Sequence, residues 1–245
     1  MWRIEGTQAS LSGPQLLARV NLRQPHFGLA DVAWLDRTLA DVRLLQAQLP
    51  DAGAGQRLVE AYVRGQDLIA TYEAASEEKS ATQMYWRYVE HADLEAAGVE
   101  LIVSVRTELL DADASLTLGS ELACRELVQA VDQDATRFLP APVAGTPGNR
   151  PAHLDGAGLL IHRVTDAVSV LEMLHPADFS ALELVADAGS TGRVRSRFRL
   201  FQERLEKGVI RRARAQTLLC RPADDEAIAR ECYLRLRASE APLTT

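Results

Sequence analysis

Arginines dominate the side chains of this sequence that are able to do chemistry. From Arg193 to Arg221 ten basic residues (193, 195, 197, 199, 204, 207, 211, 212, 214 and 221) meet only Glu203 and Glu206. That stretch carries +8 within a chain of net charge −7. Written as an extended strand, Arg193, Arg195, Arg197 and Arg199 share one face, and Val194, Phe198 and Leu200 share the other. Arg212 and Arg214 stand together in the same way on a returning strand. Each guanidinium fork donates paired hydrogen bonds, so such rows suit carboxylates, phosphates or an acidic protein surface. An acidic protein or small anionic ligand is the expectation for Arg195, Arg197, Arg199, Arg212 and Arg214. Acidic neighbouring strands or water are the plainer way to satisfy the same side chains. Nucleic acid fits poorly, because few aromatics interleave with the arginines and the overall charge is negative.

A second cluster gathers Tyr62, Arg64, Tyr72, Tyr85, Trp86, Arg87 and Tyr88. Alternation pairs Tyr62 with Arg64 on one strand and Trp86 with Tyr88 on another, and these pairs are candidates to line one concave face for a sugar. A core edge with its phenols hydrogen bonded is the alternative. The histidines at 26, 91, 153, 162 and 175 have no metal-type spacing, so no metal site is expected. His91 with Glu100, or His175 with Glu183, is a candidate pair for proton transfer, against the simpler role of capping local backbone. Phosphate loops, nucleophile elbows and dinucleotide turns are absent from the sequence, so no cofactor is expected and a non-catalytic role leads.

The elements that would position these residues read as strands. Period-two alternation outlines segments 2–11, 16–22, 29–35, 39–49, 58–72 with a turn at Gly65-Gln66, 82–89, 99–110 and 116–122. The segments at 99–110 and 116–122 are expected to pair as a meander. Four prolines and two glycines within 139–151 mark a linker between an amino-terminal β region, 1–138, and a carboxy-terminal region, 152–245. Beyond it come strands at 159–164, 168–174 and 182–186, then a long pair, 193–205 and 209–220, turning at Glu206-Lys207-Gly208 as a hairpin. Phe198, Phe201, Leu205 and Val209 also fit a helical face, against which Gly208 and the β-branched Val209-Ile210 count. A final helix begins at Asp224 or Asp225 and runs to about Ala238, stacking Ile228, Cys232 and Leu236. A weak repeat matches 85–103 with 170–185. Two such units would pack as a duplicated sandwich. The fold class is therefore mainly β: an antiparallel β-sandwich, in one reading duplicated, closed by a carboxy-terminal helix.

Composition agrees with a globular domain. At 245 residues, 47% apolar and 25% charged, the chain is long enough to bury a core. Its opening, Met1-Trp2-Arg3-Ile4-Glu5, does not read as a secretion leader, and no apolar run nears the roughly 18 residues that span a bilayer. Cys124, Cys220 and Cys232 read as reduced, buried thiols of a cytoplasmic protein. Open sheet edges make a homo-oligomer conceivable.

Three strings carry a resemblance: residues 62–72, Tyr85-Trp86-Arg87, and residues 205–214. They resemble uncharacterised bacterial proteins of the planctomycete type, a likeness that implies no activity. At the level of tandem strands with aromatic and arginine content, the chain is similar to sugar-binding supersandwich proteins such as the galactose mutarotases. That similarity implies a sandwich fold and a carbohydrate ligand; the catalytic histidines and carboxylate of that family match no string here.

Overall fold

The computed structural model describes residues 1–50, 56–74, 80–144, 157–186 and 192–239. Alternating burial turns most of them into strands. The amino-terminal part contributes β1 (Trp2–Glu5), β2 (Gln8–Ser12), β3 (Leu16–Asn21), β4 (Leu29–Trp34), the short β5 (Arg37–Thr38) and β6 (Arg43–Gln48). β7 (Gln56–Arg64), β8 (Asp67–Ala74), β9 (Ser80–His91) and β10 (Ala96–Thr107) follow, each pairing antiparallel with the next. At the first of these turns Gly65 takes φ +61°, a conformation open to glycine without steric cost. Next come β11 (Ala112–Asp113), β12 (Leu116–Ala123), β13 (Glu126–Ala130) and β14 (Phe138–Pro140). The last strands are β15 (Leu159–Arg163), β16 (Ser169–Leu174), β17 (Ala181–Ala186), β18 (Arg193–Leu200), β19 (Arg204–Leu205) and β20 (Ile210–Cys220), followed by helix α1 (Asp225–Ala238).

The strands form two large antiparallel sheets. The first runs β1-β2-β3-β4-β6-β12-β18-β17, with β5 on β4; the second runs β14-β13-β15-β16-β20-β10-β9-β8-β7. Their inner faces share one apolar core that includes Trp34, Tyr72, Trp86 and Phe198, each no more than 1% exposed. Full burial of such a side chain contributes roughly 1.5–3 kcal/mol, so this layer supplies most of the driving force. Both sheets draw strands from either side of the proline-rich stretch, as in the β12–β18 and β13–β15 pairs. Residues 145–151 of that stretch lie outside the described residues.

Helix α1 covers part of the second sheet's outer face. Cys232, Tyr233 and Leu236 pack there in one buried cluster with Ile161, Leu171, Met173 and Leu218. Arg163 donates to both oxygens of Asp225 at 2.9 Å and to Glu226 at 2.9 Å, fixing the helix start. Arg214 donates to the carbonyls of Leu236, at 3.1 Å, and Ser239, at 2.8 Å, fixing its end. The Asp225 and Glu226 carboxylates at the helix start and the Arg214 guanidinium at its end each complement the partial charge of their terminus. The described residues contain no helix long and apolar enough to cross a membrane.

Three expected pairings are corrected. β18 and β20 are both strands, but they lie in different sheets, so residues 193–220 do not form a hairpin. β10 and β12 likewise belong to different sheets, and the expected meander is a crossover. The two crossovers touch where β11 pairs with β19, Ala112 opposite Leu205. The proposed repeat also diverges: β9 and β10 are neighbours in one sheet, whereas β16 and β17 sit in opposite sheets. One physical reason covers all three. Alternation determines which face of a strand is oily, and a strand presents the same pattern whether its neighbour lies beside it or across the sandwich.

Candidate functional site

The outer face of the first sheet holds a cleft of about 680 Å³ over β6, β12 and β18. This volume suits a small ligand. The three strands turn Leu44, Leu118, Leu122 and Phe198 into the core. Opposite faces of the same strands present Arg43, Gln46, Gln48, Thr117, Glu121, Arg193, Arg195 and Arg197 to the cleft. A 3-10 turn at Pro25–Phe27 adds His26 and Phe27 as a wall, with Arg23 beside them.

Glu121 stands at the centre of this face. In register it lies opposite Arg43 on one side and Arg195 on the other. Its Oε1 accepts from Arg193 Nε at 2.8 Å, and its Oε2 accepts from Arg195 Nε and Nη2 at 2.8 and 2.6 Å. Burial alone would raise the Glu121 carboxyl, but the Arg195 and Arg193 guanidiniums hold it below the usual carboxylate range. One carboxylate thus orders two guanidiniums. Arg23, Arg43 and Arg197 make no ion pair with a described residue, and the cleft keeps a surplus of positive charge.

Beneath the floor lies a buried polar network. Ser120 and Ser196 donate to the two oxygens of Glu172 at 2.8 and 2.6 Å, and Glu172 lies 3.3 Å from His162 Nε2. Ser196 Oγ accepts from the Ser120 amide at 2.8 Å, and Ser120 Oγ accepts from the Leu45 amide at 3.3 Å. Burial would lower the His162 imidazole, yet the neighbouring Cys124 and Glu172 side chains more than offset this and carry it up to about 9.

The structure divides the residues singled out above. Arg195 and Arg197 line the cleft; Arg199 shares their face and bonds Glu183. Arg212 and Arg214 stand on β20 in the other sheet, and Arg214 is committed to the carboxy-terminal end of α1. The aromatic set is split as well. Tyr62 and Arg64 oppose Ile69 and Asp67 on the outer side of the second sheet, whereas Trp86 is core and Tyr88 packs against it. They do not line one concave face, because Trp86 falls at the core-facing parity of β9, beside Met84.

The two proton-transfer pairs do not form. His91 pairs with Ala96, four residues from Glu100, roughly 13 Å along the strand. His175 Nδ1 instead accepts from the Ala177 amide, the capping role. Cys220 and Cys232 are buried, while Cys124 is only half-buried. Among the described residues no three His, Cys, Asp or Glu side chains gather to hold a metal. Sequence reasoning missed Arg23, Phe27, Arg43, Gln46 and Glu121; only Pro25-His26-Phe27-Gly28, a turn string, offered a local signal.

Neither a protein-family model nor a curated protein sequence matches the chain. Solved structures are similar in fold. A putative aldose 1-epimerase from Escherichia coli K12 aligns with a TM-score of 0.58 at 10% identity, over 86% of this chain and 98% of that one. The α-N-acetylgalactosaminidase NagBb from Bifidobacterium bifidum, in complex with Gal-NHAc-DNJ, aligns with a TM-score of 0.54 at 12% identity. That match covers 97% of this chain and spans 39% of the enzyme. The expected likeness to supersandwich proteins therefore holds at the level of fold.

Proposed function

We propose that the protein binds a negatively charged sugar in the cleft over β6, β12 and β18. The observation that carries this reading is the excess of guanidinium over carboxylate: Arg23, Arg43, Arg193, Arg195 and Arg197 surround the single Glu121. Glu121 orients Arg193 and Arg195, and Arg197, which forms no ion pair with a described residue, receives the sugar's carboxylate or phosphate. Gln46, Gln48 and Thr117 supply donors and acceptors for hydroxyls, and Phe27 offers an apolar face to the ring. The fold shared with a putative aldose 1-epimerase supports a carbohydrate over other anions. A recessed site also favours a small ligand over an acidic protein surface.

Binding rather than chemistry is the role. A general acid or base works best with a pKa near the operating pH, and Glu121 is held well ionised by its two arginines. His26 is the cleft's imidazole, and it sits on the wall rather than beside Glu121 in the strand register. A cytoplasmic location accompanies this reading, since three thiols without a disulfide suit a reducing compartment.

Thermal-shift measurements against glucuronate, glucose 6-phosphate and glucose test it. Stabilisation by one or both charged sugars, and none by glucose at equal concentration, is expected. Stabilisation by glucose alone, or by no sugar, would remove the proposal.

A further inference from the structure

The cleft depends on an irregularity in β6. Gly119 pairs with Gln46 but Glu121 pairs with Arg43, so β6 holds one residue more than β12 between these pairs. Strict alternation would place Arg43 outward, Leu44 inward, Leu45 outward and Gln46 inward. Instead Leu44 and Leu45 are consecutive buried residues, 2% and 1% exposed, and Arg43 and Gln46 both face the cleft. Leu45 adopts φ +54°, a left-handed conformation that a bulky side chain rarely takes. Strain of this kind persists only where surrounding groups hold it.

Those groups are visible. The Leu45 amide, displaced from the ladder, donates to Ser120 Oγ, which donates onward to Glu172. Ser196, a floor residue of the cleft, binds the other Glu172 oxygen, and His162 faces the same carboxylate. The bulge also seats the wall. Gly28 has φ +63°, and a Cβ there would fall 2.3 Å from Leu44 O and 2.8 Å from Gln46 N. Only glycine allows the Pro25–Phe27 turn to lie this close to the bulge.

We infer that Glu172 is a positioning residue: through Ser120 it pins the Leu44–Leu45 bulge, which aims Arg43 and Gln46 and seats Phe27 at the ligand cleft. The inference rests on the cleft being the ligand site, and it deepens that reading by placing the control of affinity in the buried layer beneath it. A ligand would never touch Glu172.

The test compares Glu172→Gln with Cys232→Ser, a substitution on the buried side of α1, in the other sheet's layer from the cleft. Hydrogen exchange at the Leu45 and Ser120 amides is followed, together with glucuronate and glucose 6-phosphate affinity and Tm. In Glu172→Gln both amides are expected to exchange at least tenfold faster and affinity for the bound sugar to fall at least tenfold. Cys232→Ser should lower Tm while leaving amides and affinity within twofold. Unchanged exchange at Leu45 in Glu172→Gln would overturn the inference, as would an affinity loss no larger than in Cys232→Ser. Should wild-type protein bind neither sugar, the functional reading fails, while the exchange arm still decides whether Glu172 holds the bulge.

Discussion

The two outer faces of the sandwich use the same residue type to opposite ends. On the second sheet Arg87, Arg163 and Arg214 are each matched to a carboxylate. Arg87 meets both oxygens of Asp67 at 2.7 and 2.9 Å, Glu100 lies within 4.0 Å of Arg87 and 3.8 Å of Arg214, and Arg214 closes the end of α1. On the first sheet Arg193 and Arg195 share Glu121, and Arg43 and Arg197 add charge without a described acidic partner. On the second sheet these guanidiniums act as structural ties, whereas beside the cleft Arg43 and Arg197 meet no described acidic partner. The number of arginines on a strand therefore says less than the number of carboxylates within their reach.

Breaking the structural face should produce the largest effect. Replacing Arg163 by Met would leave Asp225, 2% exposed, without its bidentate partner at the start of α1. Removing one member of a buried pair costs about 3–5 kcal/mol, and because the Arg163 side chain is 25% exposed the low end of that range is expected in urea unfolding. The same cut on the ligand face should do far less.

The His162–Glu172 pair sets a pH dependence between these layers. The folded-state imidazole value, about 9, stands above the ordinary 6.5. Its stabilisation is thus complete below about pH 6.5 and is lost as pH rises through about 9. On the order of 3 kcal/mol should disappear across that window, and His162→Gln should flatten the profile. Arg214→Met comes next. Losing the carbonyl contacts of Leu236 and Ser239 should cost about 2 kcal/mol, seen as a lower Tm and faster exchange in the last turn of α1. Smallest is Arg197→Ser, whose effect on stability should stay within about 0.5 kcal/mol because nothing described pairs with it. A much larger loss of stability there would erase the contrast between the faces.

Much of the fold was legible from residues alone. The alternation at Arg193–Leu200 placed its arginines outward and Val194, Phe198 and Leu200 inward, as found. Gly65-Gln66 and the start of α1 at Asp225 were visible as turn and cap signals. Strand partners were not, since β18 carries the same pattern beside β12 and β17 as it would beside β20. For the site, Arg195 and Arg197 were found by their charge. Glu121 and Arg43 were not, because their meeting needs the bulge at Leu44–Leu45. That bulge depends on Ser120 and Glu172, 52 residues apart, and no local spacing encodes the contact.

The central claim is that cationic side chains on β18, unlike those on β20, recognise a charged sugar. Calorimetric titration of glucuronate and glucose 6-phosphate at low salt into wild type, Arg195→Ser/Arg197→Ser and Arg212→Ser tests it directly. At least a tenfold loss of affinity in the double variant is predicted, with Arg212→Ser within twofold of wild type. Equal affinity in wild type and the double variant, or a loss confined to Arg212→Ser, would contradict the account.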